Sequence, residues 1–277
     1  MKAMKKMLAG FFAAVLLVGA ASITCLASGT LATISSSSVK ISDKTMAFEA
    51  YTIGGNNYFK LRDIAMALSY TSARFSVDYD AGTNSIYLFT NKYYVPVGGE
   101  LTSSGGAATV TAYPTTSNVY LNGQKISLTA YTIGGYNYFK LRDIGMTLNF
   151  GVTYDAKYNI INVDPNSSYY LAAFFEVLPN AGYDAVTGVI NAHDTDTGTI
   201  TINIMKETYY KITAEQLTTT HDLTVLKNVL GVLVASPDTI MTALKDNKDA
   251  GTKTMTLGDR QITYYYTSNT RYIEISW

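Results

Sequence analysis

The sequence predicts an α+β protein: two repeats of a small antiparallel sheet packed on one helix, followed by a separate α+β domain. Three observations carry that expectation. Residues 50–68 recur at 130–148 with three of nineteen positions changed, Asn56/Tyr136, Ala65/Gly145 and Ala67/Thr147, and such identity marks an internal repeat. Within each copy the apolar period switches from two to about 3.6 near Leu61 and Leu141. From Asn166 the repeat is gone, and a new series of helical and alternating segments begins.

The N-terminus reads as a signal peptide, residues 1–27. Lys2, Lys5 and Lys6 precede an uncharged apolar run from Met7 to Ala21, and Cys25-Leu26-Ala27 places small residues where a signal peptidase reads. A retained anchor would need about 20 apolar residues, and Ser22-Ile23-Thr24 fits a lipobox poorly. Cleavage leaves 18 basic and 21 acidic side chains and no cysteine. That balance is no nucleic-acid footprint, and it excludes a disulfide framework and a thiolate metal site. Only 15% of residues are charged while tyrosines number 23. Abundant Tyr and Thr suit the half-buried pleated faces of a β-rich extracellular protein. No later segment has the length and apolarity of a membrane span.

Residues 28–38 are small and polar, a linker by composition. The first repeat is expected over 39–112 and the second over 113–165. Val39–Ile41 alternates as a strand edge, Ser42-Asp43-Lys44 is turn chemistry, and Met46, Phe48 and Ala50 begin a strand running to Ile53. Gly54-Gly55-Asn56-Asn57 is a hairpin turn, since Gly and Asn tolerate positive φ. After Tyr58-Phe59, Leu61, Ile64, Ala65 and Leu68 fall on one face of a short helix, with Lys60, Arg62 and Asp63 off it. Phe75–Tyr79 and Ile86–Phe89 form a closing hairpin around Asp80–Asn84. The second copy follows at an offset of 80 up to its helix and 75 after it, the missing five residues falling in a loop. Between the copies, Tyr93–Glu100 and Ala107–Ala112 are expected as additional short strands.

The segments Tyr58–Ile64 and Tyr138–Ile144, with their leading strand, Gly-Gly turn and trailing Asp-Ala hairpin, resemble the copper amine oxidase N-terminal-like domain, or stalk domain. The resemblance covers about Val39 to Pro165. It implies an antiparallel sheet wrapped on one helix, in tandem, in a secreted or surface protein of Gram-positive bacteria that carries another module. It does not imply amine oxidation. That chemistry belongs to a separate core with copper on histidines and a tyrosine-derived cofactor. Here the only histidines, His193 and His221, lie outside the repeats, and Asn57-Tyr58 and Asn137-Tyr138 are followed by Phe rather than an acid. No cofactor and no metal are expected.

The last segment, 166–277, reads as its own α+β domain. Ser167-Ser168 caps a helix over Tyr169–Leu178. Strands are expected at Val186–Ala192, Thr199–Met205 and Tyr209–Ile212, and helices over Leu217–Val234 and from Pro237. A meander follows, Thr254–Leu257, Gln261–Thr267 and Arg271–Trp277.

Candidate chemistry is sparse. His193–Gly198 carries Asp194 and Asp196 two apart, as a calcium loop does, but Gly198 and Met205 sit where oxygen donors belong, and a hairpin turn accounts for the same residues. His221-Asp222 resembles half of an acid–base pair; equally, Asp222 suits a helix N-terminus. Lys60 and Arg62, with Lys140 and Arg142, form a repeated basic pair. Tyr265, Tyr266, Tyr272 and Trp277 form a candidate aromatic surface, against which ordinary sheet packing is the competing account. Together these eight residues are the candidate binding surface.

The expected function is that of a non-catalytic exported surface or cell-wall-associated protein. Its repeats act as spacers or interaction modules, and its last domain binds a partner, cell-wall glycan or another surface protein. The alternative is a small secreted hydrolase in 166–277 with the repeats as a targeting arm. A solvent cleft joining a histidine to carboxylates favours the enzyme; a Tyr-lined sheet with the histidines apart favours binding.

Overall fold

The computed structural model describes residues 28–277 except 104, 106, 207, 247–250, 268 and 269. The expected signal peptide, including Cys25, lies outside the described residues. The chain is mixed α+β with mostly antiparallel sheets. In the first copy β1 (Thr30–Ile34), β2 (Ser38–Ile41), β3 (Lys44–Met46), β4 (Ala50–Ile53) and β5 (Asn56–Lys60) lead into α1 (Leu61–Leu68), then β6 (Phe75–Asp80) and β7 (Ser85–Thr90). The second copy has the same order: β8 (Thr109–Pro114), β9 (Asn118–Leu121), β10 (Gln124–Ile126), β11 (Ala130–Ile133), β12 (Tyr136–Lys140), α2 (Leu141–Leu148), β13 (Gly151–Asp155) and β14 (Ile160–Asp164).

The two copies interlock, which corrects the expectation of one self-contained sheet per repeat. Strands β1, β4 and β5 close a six-stranded barrel with β12, β11 and β8. The motif strands β5 and β12 pair antiparallel with Phe59 opposite Phe139, so each copy meets its own image. Beyond the barrel the copies exchange hairpins. β9 and β10 of the second copy extend β6–β7 through a parallel β7–β9 pairing. β2 and β3 of the first copy extend β13–β14 through a parallel β14–β2 pairing.

Alternation along the barrel strands explains the assembly. One set of side chains, among them Ala32, Tyr51, Tyr58, Ala112 and Tyr138, forms one cluster. The opposite set, with Phe59 and Phe139, joins α1, α2 and both outer sheets in a single larger core. A six-stranded barrel is narrow enough to be filled by side chains, and Tyr51–Tyr138 and Tyr58–Tyr131 meet edge-to-face at 5.1 and 5.3 Å. Asn57 and Asn137 of the shared motif hold matching turns, accepting Thr52 and Ser35 hydroxyls in one copy and Thr132 and Thr115 hydroxyls in the other.

Three local expectations are corrected. Residues 28–38, expected as a linker, hold β1, whose Ala32 is fully buried. Its order comes from pairing with β4 and β8 rather than from apolar content, and its counterpart β8 straddles the expected boundary at 112/113. Met46 to Ile53 is two strands in different sheets, with Ala47–Glu49 crossing between them. Tyr93–Glu100 is a loop. Pro96 has no N–H for a ladder, Gly98 and Gly99 sit at φ 99° and 84°, and the Glu100 carboxylate ties back the Val97 and Gly98 N–H groups.

After β14 come α3 (Tyr169–Val177), β15 (Gly182–Asp184), β16 (Val189–Ala192), β17 (Thr199–Lys206), β18 (Tyr209–Glu215), α4 (Thr220–Leu233), α5 (Pro237–Asp246), β19 (Lys253–Leu257), β20 (Arg260–Tyr266) and β21 (Thr270–Ser276). The strands form one seven-stranded sheet, β15-β16-β17-β18-β21-β20-β19. Alternate residues of its central strands, such as Ile200, Ile202, Ile212, Ile262, Ile273 and Ile275, are buried under the three helices. The Ser168 hydroxyl caps α3 at the Leu171 N–H. Among the described residues, none before Tyr169 belongs to the core of this region, yet α3 also packs on β13. The Tyr169 N–H donates to Asn149 Oδ1 at 3.2 Å, and a Cβ on Gly151 would lie 3.0 Å from that of Ala172. Among the described residues no helix is long and apolar enough to cross a membrane.

Candidate functional site

The repeated Lys-Leu-Arg-Asp segment lies at the β5–α1 and β12–α2 junctions, where each copy meets the other. Two clefts result, of about 280 and 310 Å³. The first is lined by Lys60, Arg62, Val77 and Tyr79 with Tyr136 and Asn137 of the other copy. The second is lined by Lys140, Arg142, Val152 and Tyr154 with Asn56 and Asn57. They are the same place seen twice.

Their chemistry differs. In the first copy Lys60 and Asp63 are buried, not on a solvated edge as their place off the apolar helix face suggests. The Lys60 ammonium lies 3.4 Å from Glu49 Oε1 and 4.9 Å from the centre of the Tyr136 ring. The Tyr138 hydroxyl donates to the same Glu49 oxygen at 2.6 Å. Burial, then the Glu49 hydrogen bond, pushes that phenol far above the usual tyrosine range. Asp63 Oδ1 accepts the Leu101 N–H at 3.0 Å, while its Oδ2 is buried without a hydrogen-bond partner. Burial raises the Asp63 carboxyl, opposed by the Leu101 N–H and Lys60. In the second copy Thr129 stands where the first has Glu49. Lys140 accordingly turns to Asp143 at 3.6 Å, and Asp143 accepts the Thr129 N–H.

The arginines differ too. Arg142 donates both terminal nitrogens to Glu176 of α3, at 2.9 and 2.8 Å. Arg62 is exposed. The loop beside it holds Glu100, whose Oε1 accepts the Tyr94 hydroxyl at 2.6 Å. Burial works against the Glu100 charge, but the Tyr94 hydroxyl and the Val97 and Gly98 N–H groups outweigh it and hold the carboxyl at about 2.

The histidine candidates resolve into turn and cap structure. Asp196, His221 and Asp222 bring ligand-type atoms within 4.8 Å of one another. Asp222, however, is fully buried and saturated. Its Oδ1 accepts the Asp196 N–H at 2.7 Å, and its Oδ2 accepts the Thr197 hydroxyl and the Thr218 and Thr219 N–H groups. With Thr219 it forms the capping box of α4, the helix-terminus role open to it from sequence. Burial opposes ionisation there, and the four donors outweigh it, holding the carboxyl far below its usual range. His221 Nδ1 lies 3.3 Å from Asp196 Oδ1 on the surface. His193 is exposed beside Gly182. Gly198 is set by packing, since a Cβ there would lie 1.9 Å from the Glu215 carbonyl oxygen.

The aromatic candidates separate. Tyr265 and Tyr272 are directly opposite on β20 and β21, half-buried on the sheet face away from the helices. The Lys211 ammonium sits 4.5 Å over the Tyr272 ring. Glu274 accepts the Tyr272 hydroxyl, and its hydrogen bond to Tyr209 pushes that phenol up to about 12. The Tyr266 side chain lies outside the described residues. Trp277 belongs elsewhere, which corrects its grouping with that surface. Its ring stacks on Tyr210 at 5.3 Å, under the Arg260 guanidinium at 3.6 Å, in the core beneath the helices. Strand alternation places Tyr265 and Tyr272 outward and Trp277, in step with the buried Ile273 and Ile275, inward, so the period of two already separated Trp277 from the tyrosines. Comparison with family models, curated proteins and solved structures found no match.

Proposed function

We propose that the protein is a non-catalytic exported surface or wall-associated binding protein, in which the interlocked repeats serve as a stalk presenting the C-terminal sheet to a glycan. The observation that carries this is the uncovered sheet face. Tyr209, Tyr265 and Tyr272 stand there among Thr201, Asn203, Thr213, Thr263 and Gln261, and the two charges of its centre, Lys211 and Glu274, are cross-strand partners. Aromatic rings ringed by hydroxyls and amides suit a neutral polyhydroxylated ligand, which stacks its apolar face and hydrogen-bonds its rim. The likeness of 58–64 and 138–144 to stalk domains supports export and tandem display. The binding test is the mature chain, 28–277, on immobilised peptidoglycan and a glycan array. Saturable binding that falls about ten-fold or more in Tyr265→Ala/Tyr272→Ala supports the proposal, the loss of one stacked contact being roughly 1.4 kcal/mol. Binding that survives the double substitution overturns it.

The alternative, a small secreted hydrolase, rests on the exposed His221–Asp196 pair. Hydrolysis of a wall polymer by the mature chain, lost in His221→Ala, would favour it.

A further inference from the structure

The two clefts provide an internal template. In the second copy three N–H groups converge on one carboxylate: both terminal nitrogens of Arg142 and the Tyr154 N–H, 2.9, 2.8 and 3.0 Å from Glu176. The third donor is available because β13 is an edge strand whose outward N–H groups have no ladder partner. Paired guanidinium donors and a backbone N–H make a strong, directional carboxylate site.

The first copy builds the same receptor. Arg62 opens α1 at the position Arg142 holds in α2. Tyr79 sits on edge strand β6 opposite Ile86, in the register that Tyr154 has opposite Ile161. Even the approach of the following chain is shared, since the Tyr94 N–H donates to Ser69 at the end of α1 as the Tyr169 N–H donates to Asn149 at the end of α2. Past Tyr94, however, the chain forms a loop instead of a helix. Its acid, Glu100, is turned to the Tyr94 hydroxyl and to N–H groups of its own loop. Among the described residues no carboxylate pairs with Arg62, and no acceptor meets the Tyr79 N–H.

We propose that the cleft at Arg62 is a binding site for a single carboxylate, the Glu or Asp side chain of an acidic peptide from a partner protein, held by Arg62 and the Tyr79 N–H as Glu176 is held by Arg142 and the Tyr154 N–H. Its volume, about 280 Å³, suits one or two side chains. The exposed rings of Tyr79 and Tyr136 flank it and offer apolar surface to the neighbouring residues of such a peptide. Asp63 and Glu100 also line the cleft. Both repel an anion placed against them, so the ligand charge is confined to the Arg62 end and a compact dianion such as phosphate is disfavoured. The proposal makes the repeats a receptor in their own right and is independent of the C-terminal sheet.

The test is a titration of the 15N-labelled mature chain with acetyl-Ala-Ala-Glu-Ala-Ala-amide, its Gln analogue and inorganic phosphate at constant ionic strength, following the Tyr79 amide and the Arg62 Nε–H. A saturable shift of both signals with the Glu peptide alone is expected. It should weaken ten-fold or more in Arg62→Gln and persist in Arg142→Gln, with the remaining spectrum of Arg62→Gln unchanged as the folding control. No saturable shift at Tyr79, an equal response to the Gln peptide or to phosphate, or unaltered binding in Arg62→Gln overturns the proposal.

Discussion

The two repeats share sixteen of nineteen motif residues and build the same strands, helix and cleft, yet the charges at the two clefts are satisfied in different ways. In one copy a buried Glu49 captures Lys60 and Tyr138; in the other, Thr129 leaves Lys140 to a partly exposed Asp143. In one copy the chain after the closing hairpin makes a loop; in the other it makes α3, whose Glu176 occupies Arg142. The motif therefore specifies the shared barrel and the cleft walls, and the residues flanking it decide what each cleft holds. Because four ladders cross between the copies, β1–β8, β5–β12, β7–β9 and β14–β2, the likeness is also a mutual dependence. The largest effect should come from separating them. Fragments 28–108 and 109–165, expressed alone, should each give the collapsed NMR dispersion of an unfolded chain, since neither can close the barrel. A well-dispersed spectrum from either fragment would show that a copy folds by itself.

The next largest contrast lies at the position where the copies differ most in charge. Glu49→Ala strands a buried ammonium and a buried phenol, and removing one partner of a buried pair costs about 3–5 kcal/mol. Thr129→Ala, which removes no hydrogen-bonded side-chain group, should stay within about 0.5 kcal/mol. Urea unfolding of both variants checks this, and equal losses would break the comparison.

A smaller contrast follows from loop length. The five residues missing after α2 bring β13 against it, and Phe150 N–H donates to the Gly145 carbonyl at 2.9 Å. A Cβ at Gly145 would lie 2.6 Å from Val152 Cγ2 and 3.1 Å from the Phe150 carbonyl oxygen, whereas the first copy accommodates Ala65 at the same place. Overpacking predicts a loss of about 1–3 kcal/mol for Gly145→Ala. A stabilised Gly145→Ala variant in thermal unfolding would mean that helix propensity outweighs the contact.

Sequence periodicity exposed much of this, and its failures have one cause. The buried face Leu61, Ile64, Ala65 and Leu68, the Gly54-Gly55 turn and most elements after Asn166 follow from local pattern, because a helix or strand shows its apolar face in its own residues. Pattern does not say which strand that face will meet. The exchange of hairpins, the order of β1, and the burial of Lys60 and Asp63 all depend on partners far along the chain. Lys60 is covered by Tyr136 and Tyr138 of the other copy, and Asp63 by Leu101. At the candidate site the basic pairs were legible as residues, but not that one arginine is paired and its twin is not. The Glu49/Thr129 difference, readable by aligning the two copies, signals the different lysine partners alone, whereas the arginine pairing depends on Glu176 of α3, outside the repeated motif.

Acid should also tell the copies apart. The Glu100 carboxyl is held at about 2, below its unfolded value of about 4.3. A depressed carboxyl contributes stability that is present above the unfolded value and is lost as pH falls through the folded one. Between about pH 4 and 2, Glu100→Gln should therefore lose less stability than the unmodified chain, read as a flatter Tm–pH curve. Parallel curves would mean the loop does not hold its charge as the geometry indicates.

The smallest contrast is the one on which the cleft template depends. Arg142→Gln removes a bidentate pair at side-chain exposures of 37% and 25%. Partial screening limits the loss to about 1 kcal/mol, expressed as looser docking of α3 on β13. Hydrogen exchange at the Tyr154 amide, whose Glu176 acceptor is no longer anchored by Arg142, should report that loosening directly. Arg62→Gln removes no pair, so its stability should stay within about 0.5 kcal/mol, and exchange at Tyr79 should not change. Equal effects at the two positions would mean that Arg62 already has an internal partner. Its cleft would then be a second filled copy of the Glu176 site rather than an open one.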